Sequence, residues 1–240
     1  MAEGLRAVRL SAIDATDRER LVGIYERTVY NPAFPDAEIR EDPDYWLGLL
    51  AADPYPPPPQ PRIEVILLVA EDEAVAGGAT VELYRAADSG LLTYLSVAAD
   101  RRGQGLGRRL VAEARLALAR MAGGERLLFA ETERLVDAAD DAEREATILR
   151  QAKLAGLGAR LVDFDYWMPP LRPGLPAHPL HLLVFDHVEP LSGRLVLRLL
   201  EELAQALGTD LARFDQTRAM ARALAADPML PVLPLASIAG

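Results

Sequence analysis

The 240-residue sequence contains no cysteine. That excludes a disulfide framework, a thiolate nucleophile and any Cys-based metal site. Histidine is scarce as well. His178, His181 and His187 are the three present, and the spacing of His178 and His181 puts them on opposite faces of a strand, so no metal is expected. Positive charge is in deficit. Twenty-six Lys and Arg stand against 36 Asp and Glu, a net charge of -10 and a pI of about 4.9. This balance argues against nucleic acid as a partner and suits a cationic ligand. No apolar run reaches the length of a membrane span, and the opening MAEGLRAVRL lacks the apolar core of a signal peptide. The expectation is a soluble cytoplasmic protein with no membrane partner. With 50% hydrophobic and 26% charged residues, the chain can bury a sizeable core in one or two domains. Its wealth of Ala, Leu, Arg and Pro looks like a GC-rich bacterial genome.

What is present concentrates in one stretch, Leu91 to Leu110, LLTYLSVAADRRGQGLGRRL. Leu91 to Val97 is apolar, with β-branched and aromatic residues, and reads as a buried strand. Asp100 to Gly107 packs three glycines and two arginines into a turn. Leu106, Leu110, Val111, Ala114 and Leu118 then follow helical spacing. The first N–H groups of a helix lack partners and carry the positive end of its dipole. Gly103, Gly105 and Gly107 have no Cβ to hold a phosphate away. Arg101, Arg102, Arg108 and Arg109 add charge. The pattern predicts an anion site of the kind that holds a pyrophosphate.

Spacing separates the families that use glycine in this way. A P-loop requires Gly-Lys-Ser/Thr, but Arg108 and Arg109 follow Gly107. A dinucleotide fingerprint requires G-x-G-x-x-G, whereas these glycines are spaced by two. The segment instead resembles the acetyl-coenzyme A signature of the GNAT superfamily of N-acetyltransferases, Arg/Gln-x-x-Gly-x-Gly/Ala. Arg102, Gly105 and Gly107 match it, with Gly103 and Gln104 between, and Leu95-Ser96-Val97 looks like the family's Leu-Ala-Val strand end.

Taken in order, Leu5 to Leu10 reads as a strand. A helix capped by Asp14 or Thr16 runs to Tyr30 and ends at Asn31-Pro32. A second helix covers Asp42 to Ala52. Asp53 to Pro61 is a stiff extended connector. Ile63 to Ala70 and Val75 to Tyr84 are strands, the second with a bulge or close packing at Gly77-Gly78. Beyond the central stretch come a strand over Arg126 to Thr132, a helix ending at Gly156 to Gly158, and strands over Ala159 to Trp167 and Leu180 to Phe185. The resemblance covers roughly Leu5 to His187 and implies the GNAT fold, an α/β (α+β) mixed central sheet of about seven strands flanked by helices. The expected organisation is an acyl-coenzyme A-binding domain over residues 1–188 and a helical extension over 189–240. In the extension two amphipathic helices form a hairpin, and Pro228, Pro231 and Pro234 end the order. The hairpin covers the sheet's end or, alternatively, carries a homodimer contact.

The resemblance also implies the chemistry: an amine attacks the thioester of acetyl-coenzyme A directly and coenzyme A leaves as a thiol. Leu95 and Val97 would pair with the pantetheine arm and polarise the thioester carbonyl. With Ser96 between them and Arg102, Gly103, Gln104, Gly105, Leu106, Gly107 and Arg108 around the pyrophosphate, they make up the expected cofactor site. A lysine-like amine, with a pKa of about 10.4, needs a base. Glu131 and Glu133 are the first candidates and Glu82, on the strand Val75 to Tyr84, the next. The tyrosine many family members place four residues before the helix-ending glycine falls here on Leu154. Tyr94 and Tyr166 are the nearest alternative hydroxyls. The expected acceptor is the primary amine of a small molecule, with an acyl-coenzyme A-binding sensor as the alternative function. Tyr30, Phe34, Tyr45 and Trp46 are candidates for the acceptor wall or for plain core.

Overall fold

The computed structural model describes residues 4–36, 40–52, 56–172 and 174–235. The start of the proline-rich connector, residues 53–55, lies outside the described residues. In chain order the elements are β1 (Arg6–Arg9), α1 (Ala15–Tyr25), a π-helical turn (Glu26–Tyr30), α2 (Asn31–Ala33), α3 (Pro43–Ala51), β2 (Arg62–Val69), β3 (Val75–Tyr84), β4 (Ser89–Val97) and α4 (Leu106–Ala122). They continue with β5 (Leu128–Glu133), α5 (Asp141–Gly156), β6 (Ala159–Val162), β7 (Tyr166–Met168), β8 (His178–Phe185), β9 (Leu191–Ser192), α6 (Gly193–Ala206), α7 (Asp215–Ala225), β10 (Met229–Leu230) and β11 (Val232–Pro234). The chain divides into two compact units, Met1–Arg85 with Gly90–Arg126, and Ala86–Ser89 with Leu127–Gly240.

In the first unit the strands lie in the order β1-β2-β3-β4. Asp14 caps α1 by accepting the N–H of Asp17, and Asp42 caps α3 by accepting that of Asp44, which satisfies helix-start donors that would otherwise be orphaned. β2 is buried along nearly its whole length and β3 along all of it, as expected of strands covered on both faces. On one face Ile63, Val65, Leu67 and Val69 join Tyr25, Val29, Tyr30 and Trp46 in a single apolar cluster. The two glycines of β3 serve close approach. A Cβ on Gly78 would come within 2.7 Å of the Tyr25 ring, and one on Gly77 within 2.7 Å of the Ser96 carbonyl of β4. A register shift opposite Leu68 and Val69 adds the bulge. The helix expected to stop at Asn31-Pro32 continues through the π turn to Ala33, because Pro32 sits in the first turn of α2, where its missing N–H costs nothing.

The second unit runs β5-β8-β6-β11, with β7 also on β8. The single strand expected over Ala159 to Trp167 is two. Leu161 pairs with Leu183 and Tyr166 with Leu180, so the segment Asp163-Phe164-Asp165 loops out, and the Asp163 N–H is donated to Pro231 at 2.9 Å. The end of the chain is not purely helical. β10 pairs with β9, and β11 pairs with β6 from Val232↔Val162 to Pro234↔Arg160. The prolines expected to end the order lie in or beside these short strands, a placement open to residues that cannot donate. Helix α6 starts on Ser192, which accepts the Leu195 N–H at 3.4 Å, and packs on α7. Its buried Glu202 accepts the N–H groups of Ala86 and Ala87 at 2.8 and 3.0 Å. The C-terminal segment therefore holds the turn that leads into β4.

Glu202→Ala would leave two main-chain donors without their carboxylate partner. We expect urea unfolding to show a loss of about 2 kcal/mol or more. A loss within error would mean that the turn is held by other contacts.

Candidate acetyl-coenzyme A site

The end of β4 is oriented by β3. The Ala98 N–H is donated to Ala76 at 2.9 Å. Peptide groups alternate in direction along an extended strand, so those of Leu95 and Val97 point away from β3. The Val97 carbonyl accepts Arg102 Nε from that side, at 3.4 Å. Ser96 is presented differently. Its side chain is buried and bonded to Tyr25 Oη at 2.8 Å, and its peptide groups face β3. Leu95 and Val97 thus direct main-chain groups away from β3, and Ser96 anchors the strand.

Past Arg101 the chain turns through Gly103 (φ +78°) and Gly105 (φ +79°). Both lie in the left-handed region, where a side chain is costly. A Cβ at either would meet nothing within 4 Å, so the glycines serve conformation and leave open space above the turn. Gly105 is the N-cap of α4, yet no side chain caps the helix and its first turn holds no acid. It holds Arg108 and Arg109 instead, against the sense of the helix dipole. Arg109 is occupied, donating to the Leu5 carbonyl at 2.9 Å. Arg102, Gln104 and Arg108 are exposed. Gln104 reaches back to the Asp100 carbonyl at 3.5 Å. The Leu106 side chain is buried in the core, which leaves only its N–H for a ligand. Gly107 is the second residue of α4. A pocket of about 200 Å³ opens beside the turn, between Thr28, Ala76, Ala98 and Arg101. Open main chain, an uncapped helix start and exposed guanidinium together fit a pyrophosphate.

A family model, the acetyltransferase (GNAT) domain, matches residues 63–148, a span that contains β4, the turn and α4. That span resembles a GNAT acetyltransferase domain. Among solved structures, a Bacteroides thetaiotaomicron protein assigned to the GNAT acetyltransferase family shares 16% identity over 77% of this chain and 88% of its own, with a TM-score of 0.51. GCN5 of Tetrahymena shares 12% identity over 76% and 97%, with a TM-score of 0.48. Among curated proteins none matches the sequence. The fold is similar to that of this Bacteroides GNAT-family protein.

The candidate acid and base residues have varied surroundings. Glu131, on β5, accepts the hydroxyl of Tyr166, on β7. Tyr166 is buried, and burial together with the charge of Glu131 holds its phenol well above the usual range. Glu133 is ion-paired with Arg150 on α5. Glu82, on β3, is buried and accepts Tyr84 Oη at 2.6 Å. Tyr94 is a core residue with its ring centroid 5.0 Å from Tyr30, 5.2 Å from Phe34 and 5.6 Å from Trp46. Its hydroxyl accepts the Glu41 N–H at 2.8 Å, and Tyr30 Oη is donated to the Glu41 carbonyl at 3.1 Å. Tyr94 and Tyr30 thus both bond to the main chain of Glu41. Tyr30 and Trp46, raised as wall candidates, are fully buried core, whereas Phe34 and Tyr45 are only partly buried. Sequence reasoning missed Glu41, which looks like one of several solvated acids before a helix. Among the described residues no group of three His, Asp or Glu is arranged to hold a metal ion.

Gly105→Glu places a carboxylate at the turn, where it would oppose a pyrophosphate, and adds a backbone strain of about 1–2 kcal/mol. We expect a cooperative melt and no measurable coenzyme A binding by calorimetry. Arg102→Ala should weaken binding about tenfold, in keeping with one charge-assisted contact. Wild-type affinity in both would move the site elsewhere.

Proposed function

We propose that the protein transfers the acetyl group of acetyl-coenzyme A to the primary amine of a small molecule by direct attack. The observation that carries this reading is the open turn from Arg102 to Arg108 at the uncapped start of α4, which follows directly on a strand end whose Leu95 and Val97 peptide groups point away from β3. The turn would hold the pyrophosphate. The N–H groups of Leu95 and Val97 would pair with the pantetheine arm. The overall negative charge favours a cationic acceptor over an anionic one.

Glu131 is the proposed proton acceptor, directly or through a water, because it is a partly exposed carboxylate whose orientation is fixed by a buried phenol. Tyr166 is then a positioning residue. Glu133 shares the strand end, but its pairing with Arg150 makes it the lesser candidate. Glu82 is less accessible still. Leu154 at the usual tyrosine position favours the sensor as the second reading, in which the acyl-coenzyme A site is kept and transfer is slow.

A screen of primary amines with thiol detection separates the two readings. An enzyme releases thiol in proportion to one amine class, and a sensor releases none above hydrolysis. With an active amine in hand, Glu131→Gln should lower kcat by about 10²–10⁴ with coenzyme A affinity unchanged. Tyr166→Phe should lower kcat less and leave KM in place. Unchanged turnover in both Glu131→Gln and Glu133→Gln would remove these carboxylates from the mechanism.

A further inference from the structure

Three aromatic side chains from three elements converge on one residue. Trp46 of α3 donates its indole N–H to Glu41 Oε2 at 2.7 Å. Tyr30, from the π turn, donates to the Glu41 carbonyl, and Tyr94 of β4 accepts its N–H. π turns recur at functional sites, and this one supplies a pinning phenol. The main chain and one carboxylate oxygen of Glu41 are therefore fixed. Oε1 has no hydrogen-bond partner among the described residues. Glu41 is half-buried, and a partly desolvated carboxylate favours a cationic partner. Burial pushes its pKa up, an effect the Trp46 bond only partly offsets. The titratable groups around it are the phenols of Tyr30, Tyr45, Tyr84 and Tyr94, all held neutral by burial, and Glu82, whose charge acts on Tyr45 and Tyr84 as that of Glu41 does. None of these is a cation. Arg40, next in sequence, directs Nη1 to the Phe34 carbonyl at 2.8 Å.

We propose that Glu41 is the recognition carboxylate for the acceptor, holding its ammonium group on Oε1 while an apolar stem lies against the partly buried rings of Phe34 and Tyr45. Its neighbour Tyr94 adjoins Leu95, which ties this carboxylate to the strand end on which the thioester would lie. The acceptor class is then a monocationic amine with an apolar stem, since aromatic faces and a single half-buried carboxylate suit one charge on a greasy chain and penalise several. This rests on the transferase reading above. It assigns binding to Glu41 and leaves proton removal to Glu131.

The test has one arm without turnover and one with it. Trp46 reports the protonation of its partner, and Trp167→Phe removes the second tryptophan. In that background the pH titration of indole fluorescence should show a carboxyl step that Glu41→Gln abolishes. n-Butylamine should move the step to lower pH, because a cation favours the ionised form, and n-butanol at matched ionic strength should not. With an active amine, Glu41→Gln should raise the amine KM about 10–100-fold with kcat and coenzyme A affinity little changed. Its Tm should not fall, since glutamine keeps the Trp46 bond and removes a half-buried charge. Wild-type KM falls as pH rises through the step, and that dependence disappears in the variant. A step indifferent to n-butylamine, or a variant with wild-type KM, overturns the proposal. A variant that merely melts lower assigns Glu41 a structural role and overturns it too. Absence of any transfer with any amine would count against the transferase reading, and the fluorescence arm would still decide whether Glu41 binds ammonium.

Discussion

The structure depends first on main-chain donors that the protein declines to cap. Most helix starts here are closed by a side chain, Asp14 for α1, Asp42 for α3, Asp140 for α5 and Ser192 for α6. The start of α4 is left open at Gly105, with arginines in its first turn. By itself that arrangement opposes the helix dipole. An anion bound there would offset this opposition, and the left-handed Gly103 and Gly105 keep the approach clear. The surrounding unit serves to aim this turn. Gly77 lets β3 press against the Ser96 carbonyl, Tyr25 bonds the Ser96 side chain, and Leu110 anchors α4 near Gly77.

A second constraint lies on the sheet face covered by α1 and α3. Gly78 brings Tyr25 down onto β3, and Tyr25, Tyr30, Trp46 and Tyr94 form a continuous aromatic layer. Polar atoms in such a layer must be paired. The phenols pair with Ser96 and with the main chain of Glu41. The contact that engages the Tyr94 hydroxyl also positions Glu41, so the hydroxyl on β4 serves to place a charged neighbour across the loop.

Much of this was legible in the sequence because it is periodic or punctuated. The strand Val75 to Tyr84 was bounded by an acidic turn and by a hairpin, and α4 was announced by glycines and ended by Gly123. Its left-handed C-cap has φ +72°. What escaped was set by contacts between distant residues. The outward loop at Asp163 to Asp165 depends on β8 pairing with β6 and β7 in two registers, and β11 forms despite its prolines because β6 offers a partner. Glu41 reads as one of several acids in a polar stretch. Only the folding of Tyr30, Trp46 and Tyr94 around it gives it a distinct environment. Likewise Glu131 and Tyr166, far apart in sequence, become a pair only through the assembly of the strands.

The central claim is that the turn from Arg102 to Arg108 is built for coenzyme A and not for nucleotides at large. The most direct measurement is a thermal-shift titration of the purified protein with acetyl-coenzyme A, coenzyme A, ATP and NAD. A ligand that binds only the folded state raises Tm with its concentration. The account predicts saturable stabilisation by both coenzyme A forms and little by ATP or NAD. Equal stabilisation by all four, or none by the coenzyme A forms at saturating concentration, would contradict it.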